Sequence, residues 1–294
     1  MFYVIDASVY VFRAWFSIPD NMQDSDGNPV NALYGFARFL SDFLEHSKPE
    51  FAAVAFDTSL TTCFRNDIYP AYKANRDPAP DELKLQFERC RALTRSLGLP
   101  EYAEQRFEAD DIIGTLVTSM RRQGMPSTIL TRDKDMAQLL DAGDVLWDFA
   151  GGRRIAYKDV RASYGVRAEQ MVDYLALAGD SVDNIPGVRG VGPKTAAALL
   201  EHFNSLDNIY DRLQEVAGVA VRGAAKLGAR LAEHKEMAML SRQLSTIACN
   251  VPLAADRDAL VRRPPDLSAL NAIYDAAQFG PALRRQAERI AAHF

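Results

Sequence analysis

Short apolar runs and helical periodicity alternate along the first half of the chain. Residues 2–5, 51–57, 127–131 and 144–149 are runs rich in β-branched and aromatic side chains. Uninterrupted runs of this length are typical of strands buried on both faces of a parallel sheet. Their alternation with helical segments therefore predicts an α/β fold.

Three amphipathic helices are predicted between these strands. The apolar face of the first consists of Leu33, Phe36, Ala37, Leu40, Phe43 and Leu44. Asp81 is predicted to cap the second, which Gly98 and Pro100 end. The third opens at Glu108, and its apolar stripe is Ile112, Ile113, Leu116, Val117 and Met120. From about residue 168 strand signals end, and helical patterns continue to residue 294.

Residues 58–80 have a different character. Pro70, Pro78 and Pro80 interrupt any helical periodicity, which indicates a segmented insertion rather than core. Basic and aromatic side chains alternate here: Phe64, Arg65, Tyr69, Tyr72, Lys73 and Arg76. A solvated basic loop is one interpretation. The other is a segment that stacks a base and neutralises a phosphate.

Composition narrows the class of protein. With 294 residues, 48% apolar and 25% charged, the chain suits one large globular domain or two unequal ones. No apolar run approaches the ~20 residues that span a bilayer, and the N-terminus lacks a secretory pattern. Cys63, Cys90 and Cys249 are widely spaced, which favours reduced thiols in the cytoplasm over disulfides or a zinc site.

Nine carboxylates stand out because most of them follow a predicted strand or open a predicted helix: Asp6, Asp57, Glu108, Asp110, Asp111, Asp133, Asp135, Asp180 and Asp183. The carboxyl ends of parallel strands line the crevice in which open α/β sheets bind ligands. So many like charges require cations, and oxygen ligands favour Mg²⁺ or Mn²⁺. A single acid after a strand is usually a cap or turn residue, so this prediction depends on the whole set.

The net charge of −5 argues against a nucleic-acid binder only at first sight. If nine of the 39 acids bind cations, 30 acids remain against 34 basic residues. The rest of the chain is then mildly basic. Net charge therefore does not decide the partner, and local patterns must.

A glycine-rich segment follows the last acids. Gly190 and Gly192 precede Pro193, which suits the first turn of a helix, and Lys194 and Thr195 follow it. Backbone N–H groups at such a helix start can bind a phosphate, and Lys194 adds positive charge. An ordinary αα-hairpin with glycine at its bend is the alternative.

In combination these motifs resemble the 5′ nuclease family: the 5′→3′ exonuclease domain of bacterial DNA polymerase I, phage 5′ nucleases and flap endonucleases. The resemblance covers most of the chain, and it rests on Ile5-Asp6-Ala7, Ala55-Phe56-Asp57, Phe64-Arg65, Tyr69 to Arg76, Glu108-Ala109-Asp110-Asp111, Thr131 to Asp135, Gly179 to Gly187, Gly190 to Ala196 and Leu240 to Leu244. The chain ends where a fused polymerase would follow, so it is similar to a free-standing bacterial or phage version.

The resemblance implies a PIN-like core at 1–167, with a central, mostly parallel sheet and a helical arch at about 58–97. Residues 168–294 would be a helical DNA-binding region with a helix-three-turn-helix (helix-hairpin-helix) at about 180–203. The nine carboxylates would hold two Mg²⁺ or Mn²⁺ ions. Asp6, Asp57, Glu108, Asp110 and Asp111 match the first metal site, Asp133 and Asp135 lie between the metals or toward the second, and Asp180 and Asp183 match the second.

The same resemblance assigns roles outside the acids. Lys73, with Arg76, matches the catalytic cations of the arch that stabilise the scissile phosphate, and Arg65 matches a further phosphate contact. Tyr72 matches the aromatic residue beside the entering base. The hairpin residues Gly190, Gly192, Lys194 and Thr195 match an element that binds duplex phosphates with a monovalent cation such as K⁺.

The implied function is a structure-specific 5′ nuclease that acts on DNA with 5′ flaps, nicks or single-strand/double-strand junctions. Primer removal and repair would be its uses, with RNA/DNA hybrids as further substrates. We expect a cytoplasmic monomer that does not bind membranes. Two alternatives are a PIN-type ribonuclease and a non-catalytic DNA-junction binder.

Overall fold

The computed structural model describes residues 1–58 and 62–294. Its central sheet has six strands: β1 (Phe2–Asp6), β2 (Phe51–Asp57), β3 (Glu101–Glu104), β4 (Ser127–Leu130), β5 (Val145–Asp148) and β6 (Arg153–Ala156). Their order is β3-β2-β1-β4-β5-β6, and every neighbouring pair is parallel except β5 and β6. The mostly parallel sheet predicted from the sequence is confirmed.

Thirteen α-helices occur in the described part of the chain: α1 (Ala7–Ser17), α2 (Asn31–Ser47), α3 (Phe64–Ile68), α4 (Asp81–Ser96), α5 (Ala109–Arg122), α6 (Val160–Tyr164), α7 (Met171–Ala178), α8 (Pro193–Phe203), α9 (Leu206–Asp211), α10 (Ala224–Glu233), α11 (Lys235–Ser245), α12 (Leu267–Ala276) and α13 (Pro281–Ala291). The three helices predicted between the strands are α2 and α5, from their apolar stripes, and α4, from its start and end signals. Residues 59–61 of the predicted arch lie outside the described residues.

The central strands are buried on both faces, because successive side chains of a strand point to opposite sides of the sheet. Val4 and Ala53 belong to one hydrophobic cluster, which also contains Ile112 of α5. Ile5 and Val54, the next residues along each strand, belong to the other cluster, with α1, α2 and α4. The strands therefore end between two packed layers, and their terminal acids are held in fixed positions.

The last two helices return to the layer formed by α1, α2 and α4. Leu270 and Tyr274 of α12 and Leu283 of α13 are buried in the same cluster as Leu33 of α2. Helices α7 to α11 instead lie on the α5 side of the sheet. The layer that contains α1, α2 and α4 is therefore built from helices on both sides of residue 167.

Two local features differ from the sequence expectation: the edge strands and the start of α4. Strands β3 and β6 lie at the edges of the sheet and carry polar residues, so neither forms the apolar run that predicts a buried strand. The prediction of Asp81 as a helix cap is wrong: Pro80 occupies the cap position of α4, and Asp81 is its first residue. None of the described helices is long and apolar enough to cross a bilayer.

The packing of α12 predicts the effect of one substitution. Leu270→Ala should lower the free energy of unfolding by about 2–5 kcal/mol, because it opens a cavity in a closely packed cluster. Leu85→Ala in α4 is the control, since the Leu85 side chain is 41% exposed. Urea denaturation followed by circular dichroism measures both. Equal losses would show that α12 does not contribute to the core.

Candidate metal centre

The carboxyl ends of β1 and β2 bring Asp6 and Asp57 to the start of α5. Asp57 accepts hydrogen bonds from the backbone N–H of Ala109 at 2.8 Å and from the Ser8 hydroxyl at 2.6 Å. Asp6 accepts one from the Thr131 hydroxyl at 2.9 Å. These contacts fix both carboxylates at the same edge of the sheet, as the strand pattern predicts.

The turn after β4 adds two further acids. The backbone N–H of Asp133 donates to Thr131 Oγ1 at 3.0 Å, and that of Asp135 donates to Asp133 Oδ1 at 2.8 Å. Thr131 therefore connects this turn to Asp6 at the end of β1. Asp135 Oδ1 is buried and has no hydrogen-bond partner among the described residues.

Electrostatics shows that these acids lie close together. Burial, followed by the charges of Asp57 and Asp133, raises the pKa of Asp6 to about 7. Burial, followed by the charges of Asp133 and Asp6, raises the pKa of Asp110 well above its usual value. Burial and then Asp133 raise the pKa of Asp135 to about 7. Like charges in this group therefore repel one another unless cations neutralise them.

Asp180 and Asp183 lie in a tight turn beside this group. The backbone N–H of Ile185 donates to the Asp180 carbonyl at 2.7 Å, which closes the turn. Lys134 Nζ lies 2.6 Å from Asp180 Oδ2 and 3.5 Å from Asp135 Oδ1. Burial would raise the pKa of Asp180, but the hydrogen bond and charge of Lys134 and the backbone N–H groups of Val182 and Asp183 together leave that pKa lowered.

The segment with Tyr72, Lys73 and Arg76 packs against the same acids. The Tyr72 hydroxyl donates to Glu108 Oε2 at 2.9 Å, and Lys73 Nζ pairs with Glu108 and lies 3.6 Å from Asp183. Arg76 pairs with Asp183. Burial lowers the pKa of Lys73, but the charge of Glu108 leads the effects that raise it well above normal, so the ammonium stays charged. Tyr72 is only 4% exposed, which leaves its ring covered in this arrangement.

Lys73 also has an unusual backbone conformation. Its φ of 53° lies in the left-handed region, which is uncommon for a residue with a side chain. Its backbone N–H donates to the Asp183 carbonyl at 3.0 Å, so the bond to the acidic turn fixes this conformation. Strain of this kind is concentrated at functional sites.

The acids at the sheet edge, Asp6, Asp57, Asp110, Asp133 and Asp135, form what we call the acidic group. Arg65 and Asp111 lie beneath this group and are not part of it. Arg65 donates to Asp111 at 2.7 and 2.8 Å, to Glu108 at 3.1 Å, and to the carbonyls of Leu244 and Thr246 at 2.8 Å. Asp111 is fully buried, and Arg65 is 2% exposed. The structure therefore places Asp111 beside Glu108 but directs its carboxylate to Arg65, and it leaves Arg65 without an exposed surface for a phosphate.

Cys63, Glu108 and Asp111 have ligand atoms within 4.8 Å of one another, which by distance alone would suit a metal. Arg65 contacts all three of these side chains. Burial raises the pKa of Cys63, which opposes the thiolate that a metal would require. This set is an arginine-centred ion pair and not a metal site.

The acidic group itself suits hard divalent cations. Its side chains offer only oxygen atoms, which Mg²⁺ and Mn²⁺ prefer. A bound cation would relieve two features of this group: Asp135 Oδ1, which is buried and accepts no hydrogen bond from the described residues, and the raised pKa values of Asp6 and Asp110. Lys73, Arg76 and Lys134 already supply part of the positive charge.

The glycine-rich hairpin joins α7 to α8 next to the acidic turn. Pro193 is the first residue of α8, as predicted, and Gly190 has a φ of 79°. A side chain at Gly192 would meet no atom within 4 Å, so the backbone is open to a ligand there. Lys194 is exposed and Thr195 is half-buried. This arrangement is consistent with a phosphate-binding helix start.

Sequence reasoning gave no role to Ser8, Thr131 or Lys134. Ser8 and Thr131 hold the terminal acids of β2 and β1, across 49 and 125 residues of sequence. No local pattern could have indicated those pairings. The position of Lys134 between two acids of the Asp133-x-Asp135 motif is a signal that could have been used.

Two family models match consecutive parts of the chain. Residues 1–165 match "5'-3' exonuclease, N-terminal resolvase-like domain", and residues 166–268 match "5'-3' exonuclease, C-terminal SAM fold". The 5'-3' exonuclease of Buchnera aphidicola subsp. Acyrthosiphon pisum is 32% identical over 251 residues, which are 85% of this chain and 87% of that protein.

Longer relatives match over only part of their length. DNA polymerase I of Pseudomonas aeruginosa is 40% identical over 277 residues, which are 94% of this chain and 30% of the polymerase. DNA polymerase I of Rhizobium leguminosarum is 38% identical over 293 residues, 97% of this chain and 28% of the polymerase. The chain therefore spans less than a third of these relatives.

Two solved structures share the fold. T5 5'-exonuclease with bound divalent metal ions (zinc) has a TM-score of 0.67 and 20% identity, and the match covers 99% of this chain and 98% of that one. The catalytic core of Rad2 in complex with DNA substrate has a TM-score of 0.64 and 15% identity, with 98% and 90% covered. Both likenesses concern the fold.

The buried Arg65 network predicts a large effect on stability. Arg65→Ala should lower the free energy of unfolding by about 3–5 kcal/mol, because it leaves Asp111 buried without its charged partner. Arg161→Ala is the control: its pair with Glu201 is exposed on both sides and should contribute less than about 1 kcal/mol. Denaturation in guanidinium chloride compares the two variants. Similar losses would contradict the structural role of Arg65.

Proposed function

This chain belongs to the 5'-3' exonuclease family, and we propose that it cuts DNA phosphodiesters near single-strand/double-strand junctions, where it releases 5′ flaps and short 5′-terminal products. The observation that carries this proposal is the group of buried carboxylates at the sheet edge, which faces a basic and aromatic segment.

Two Mg²⁺ or Mn²⁺ ions are the cofactors in this proposal. Eight of the nine predicted acids would hold them: Asp6, Asp57, Glu108, Asp110, Asp133, Asp135, Asp180 and Asp183. We assign Asp111 to the support of Arg65, because it is fully buried in that network. When bound, the ions activate water and stabilise the leaving oxygen in phosphodiester hydrolysis.

The residues of the chain itself would position the phosphate. In this structure Lys73 pairs with Glu108 and Arg76 pairs with Asp183. With cations bound to the acids, both basic side chains can instead donate hydrogen bonds to phosphate oxygens. Positive charge placed there also offsets the negative charge that develops during cleavage. Tyr72 must leave its contact with Glu108 before a base can stack on its ring.

The hairpin would hold the adjacent duplex. Gly190, Gly192, Lys194 and Thr195 surround the start of α8, where backbone N–H groups can bind a phosphate, and K⁺ is the monovalent cation proposed there. Such contacts read the backbone and not the bases, which suits recognition of DNA by its shape. We propose primer removal and repair as the use, RNA/DNA hybrids as further substrates, and a cytoplasmic monomer as the working form.

A flap assay tests this function directly. With Mg²⁺, the purified protein should cut a labelled 5′ flap at the junction, and EDTA should stop cutting. Asp133→Asn should reduce the cleavage rate by at least about 100-fold, because weakening even a partner of a metal ligand often costs 10–100-fold. Gel mapping of the product ends measures rate and position together.

Binding and substrate choice complete this assay. Flap binding by Asp133→Asn in EDTA should be retained and no weaker than that of the wild type, since the variant removes a negative charge and none of the cations that contact DNA. Binding of the flap by the wild type without cleavage would favour a non-catalytic junction binder. Preferential cutting of a matched RNA hairpin would favour a PIN-type ribonuclease. Unchanged turnover of Asp133→Asn would remove that residue from the site.

The hairpin makes a separate prediction about salt dependence. Lys194→Ala should weaken duplex binding and reduce the slope of log K against log[salt] by up to about 0.9, the value for one phosphate contact. Lys48→Ala is the control, because Lys48 is exposed at the end of α2, before the amino end of β2. Fluorescence anisotropy at several salt concentrations measures both slopes. An unaltered slope for Lys194→Ala would exclude a direct phosphate contact.

A further inference from the structure

A cavity of about 150 Å³ opens beside the acidic group, next to β5 and β6. Its lining includes Thr131 and Asp133 from the end of β4, Arg132 between them, Arg153 of β6, and Tyr164 of α6. Thr131 is also the residue that holds Asp6. The cavity is therefore continuous with the proposed catalytic acids, although no role described above uses Arg132, Arg153 or Tyr164.

Two acids and two arginines line this cavity. Asp148 lies 3.4 Å from Arg132 and 3.9 Å from Arg13, and the divalent cations of the proposed site would offset the charge of Asp133, which leaves an excess of positive charge for an anion. Arg153 is exposed and forms no ion pair with any residue in 1–58 or 62–294. A guanidinium without a partner next to a confined cavity is suited to bind phosphate oxygens in a fork.

Tyr164 lines the same cavity as Arg153 and Asp133. Its hydroxyl can donate a hydrogen bond to a group that is bound in this cavity. The space is well below the ~300 Å³ of a typical small-molecule pocket, so it suits one phosphoryl group rather than a nucleotide.

We propose that this cavity is a second phosphate seat, in which Arg153, Arg132 and Tyr164 bind a backbone phosphate of the cleaved strand next to the scissile phosphate. The inference rests on the proposed nuclease function. It assigns the cleaved strand because the cavity shares Thr131 and Asp133 with the acidic group, so its occupant must approach the same acids. The seat contacts only the backbone and would not select a sequence.

The chain supplies a matched control for this seat. Arg154 follows Arg153 on β6, but its side chain lies on the opposite face of the strand, since neighbouring strand residues alternate. Its guanidinium lies 3.9 Å from the centre of the Trp147 ring, and it lines a different cavity with His46 and Phe149. Arg153→Ala and Arg154→Ala therefore remove the same charge from the same hairpin, and only the first touches the proposed seat.

The first measurement is binding of a 5′-flap DNA in EDTA, which prevents cleavage. Arg153→Ala should weaken binding by about 10-fold, as expected for one charged hydrogen-bonded contact, and lower the salt slope by about 0.7–0.9. Arg153→Lys should restore most of the slope because it keeps the charge. Arg154→Ala should bind like the wild type, and circular dichroism should report wild-type folding for all three. Equal effects of Arg153→Ala and Arg154→Ala would overturn the proposal.

The second measurement locates the phosphate. Single phosphates on either side of the cleavage site, on both strands, are replaced one at a time by neutral methylphosphonates. One position next to the scissile phosphate on the cleaved strand should weaken wild-type binding but leave the binding of Arg153→Ala unchanged. The proposal would be overturned if only methylphosphonates on the other strand affected the two proteins differently. It would also be overturned if every position weakened binding equally in both proteins.

Failure of this inference can be told apart from failure of the proposed function. If the wild type binds the flap but does not cut it with Mg²⁺, the nuclease function fails, whatever the binding of Arg153→Ala shows. If the wild type cuts at the junction and Arg153→Ala binds and cuts equally well, the nuclease function stands and the second seat is excluded.

Discussion

The constraint on which the rest of this structure depends is the repulsion among carboxylates that the fold forces together. Parallel strands must end at one edge of the sheet, so the acids that follow them cannot move apart without unfolding. Burial itself, and then the charges of neighbouring acids, raises the pKa values of Asp6 and Asp135 to about 7. Positive charge must therefore reach this edge, and the chain brings it from several distant segments.

Cationic side chains also help to connect the segment 71–76 to the turn at 180–185. The segment 71–76 is held to the turn at 180–185 by the Asn75 amide, which donates to the Ser181 carbonyl at 2.8 Å, and by the Asn184 amide, which donates to the Ala71 carbonyl at 2.6 Å. Lys73 and Arg76 continue this contact through their acids. A divalent cation and a phosphate would compete for both partners of these ion pairs. Loading of the site is thereby coupled to the position of the segment that covers it.

The sequence predicts the strand ends well because apolar runs determine them, and an acid directly after a run can lie only at the sheet edge. It does not predict which acid of the Glu108–Asp111 motif faces the crevice. Asp110 and Asp111 are neighbours on one helix, so they point in different directions, and the docking of α5 decides between them. Asp111 turns back to the backbone N–H of Glu108 and to Arg65. The sequence suggests that Arg65 is a surface cation. In the structure it is buried and donates to the carbonyl groups of Leu244 and Thr246, which are distant in the sequence.

The location of charge resolves the apparent conflict between an acidic chain and the DNA substrate that we propose for it. The acids of the metal centre lie at the edge of the sheet among their own cations, so much of their charge is compensated within the fold. Arg153 and Lys194 are exposed on separate elements near that centre. A DNA strand responds to the local field within about a Debye length, ~10 Å at 0.1 M salt, and not to the total charge. Exposed cations around a compensated acidic centre can therefore guide a polyanion to a site whose own residues are negative.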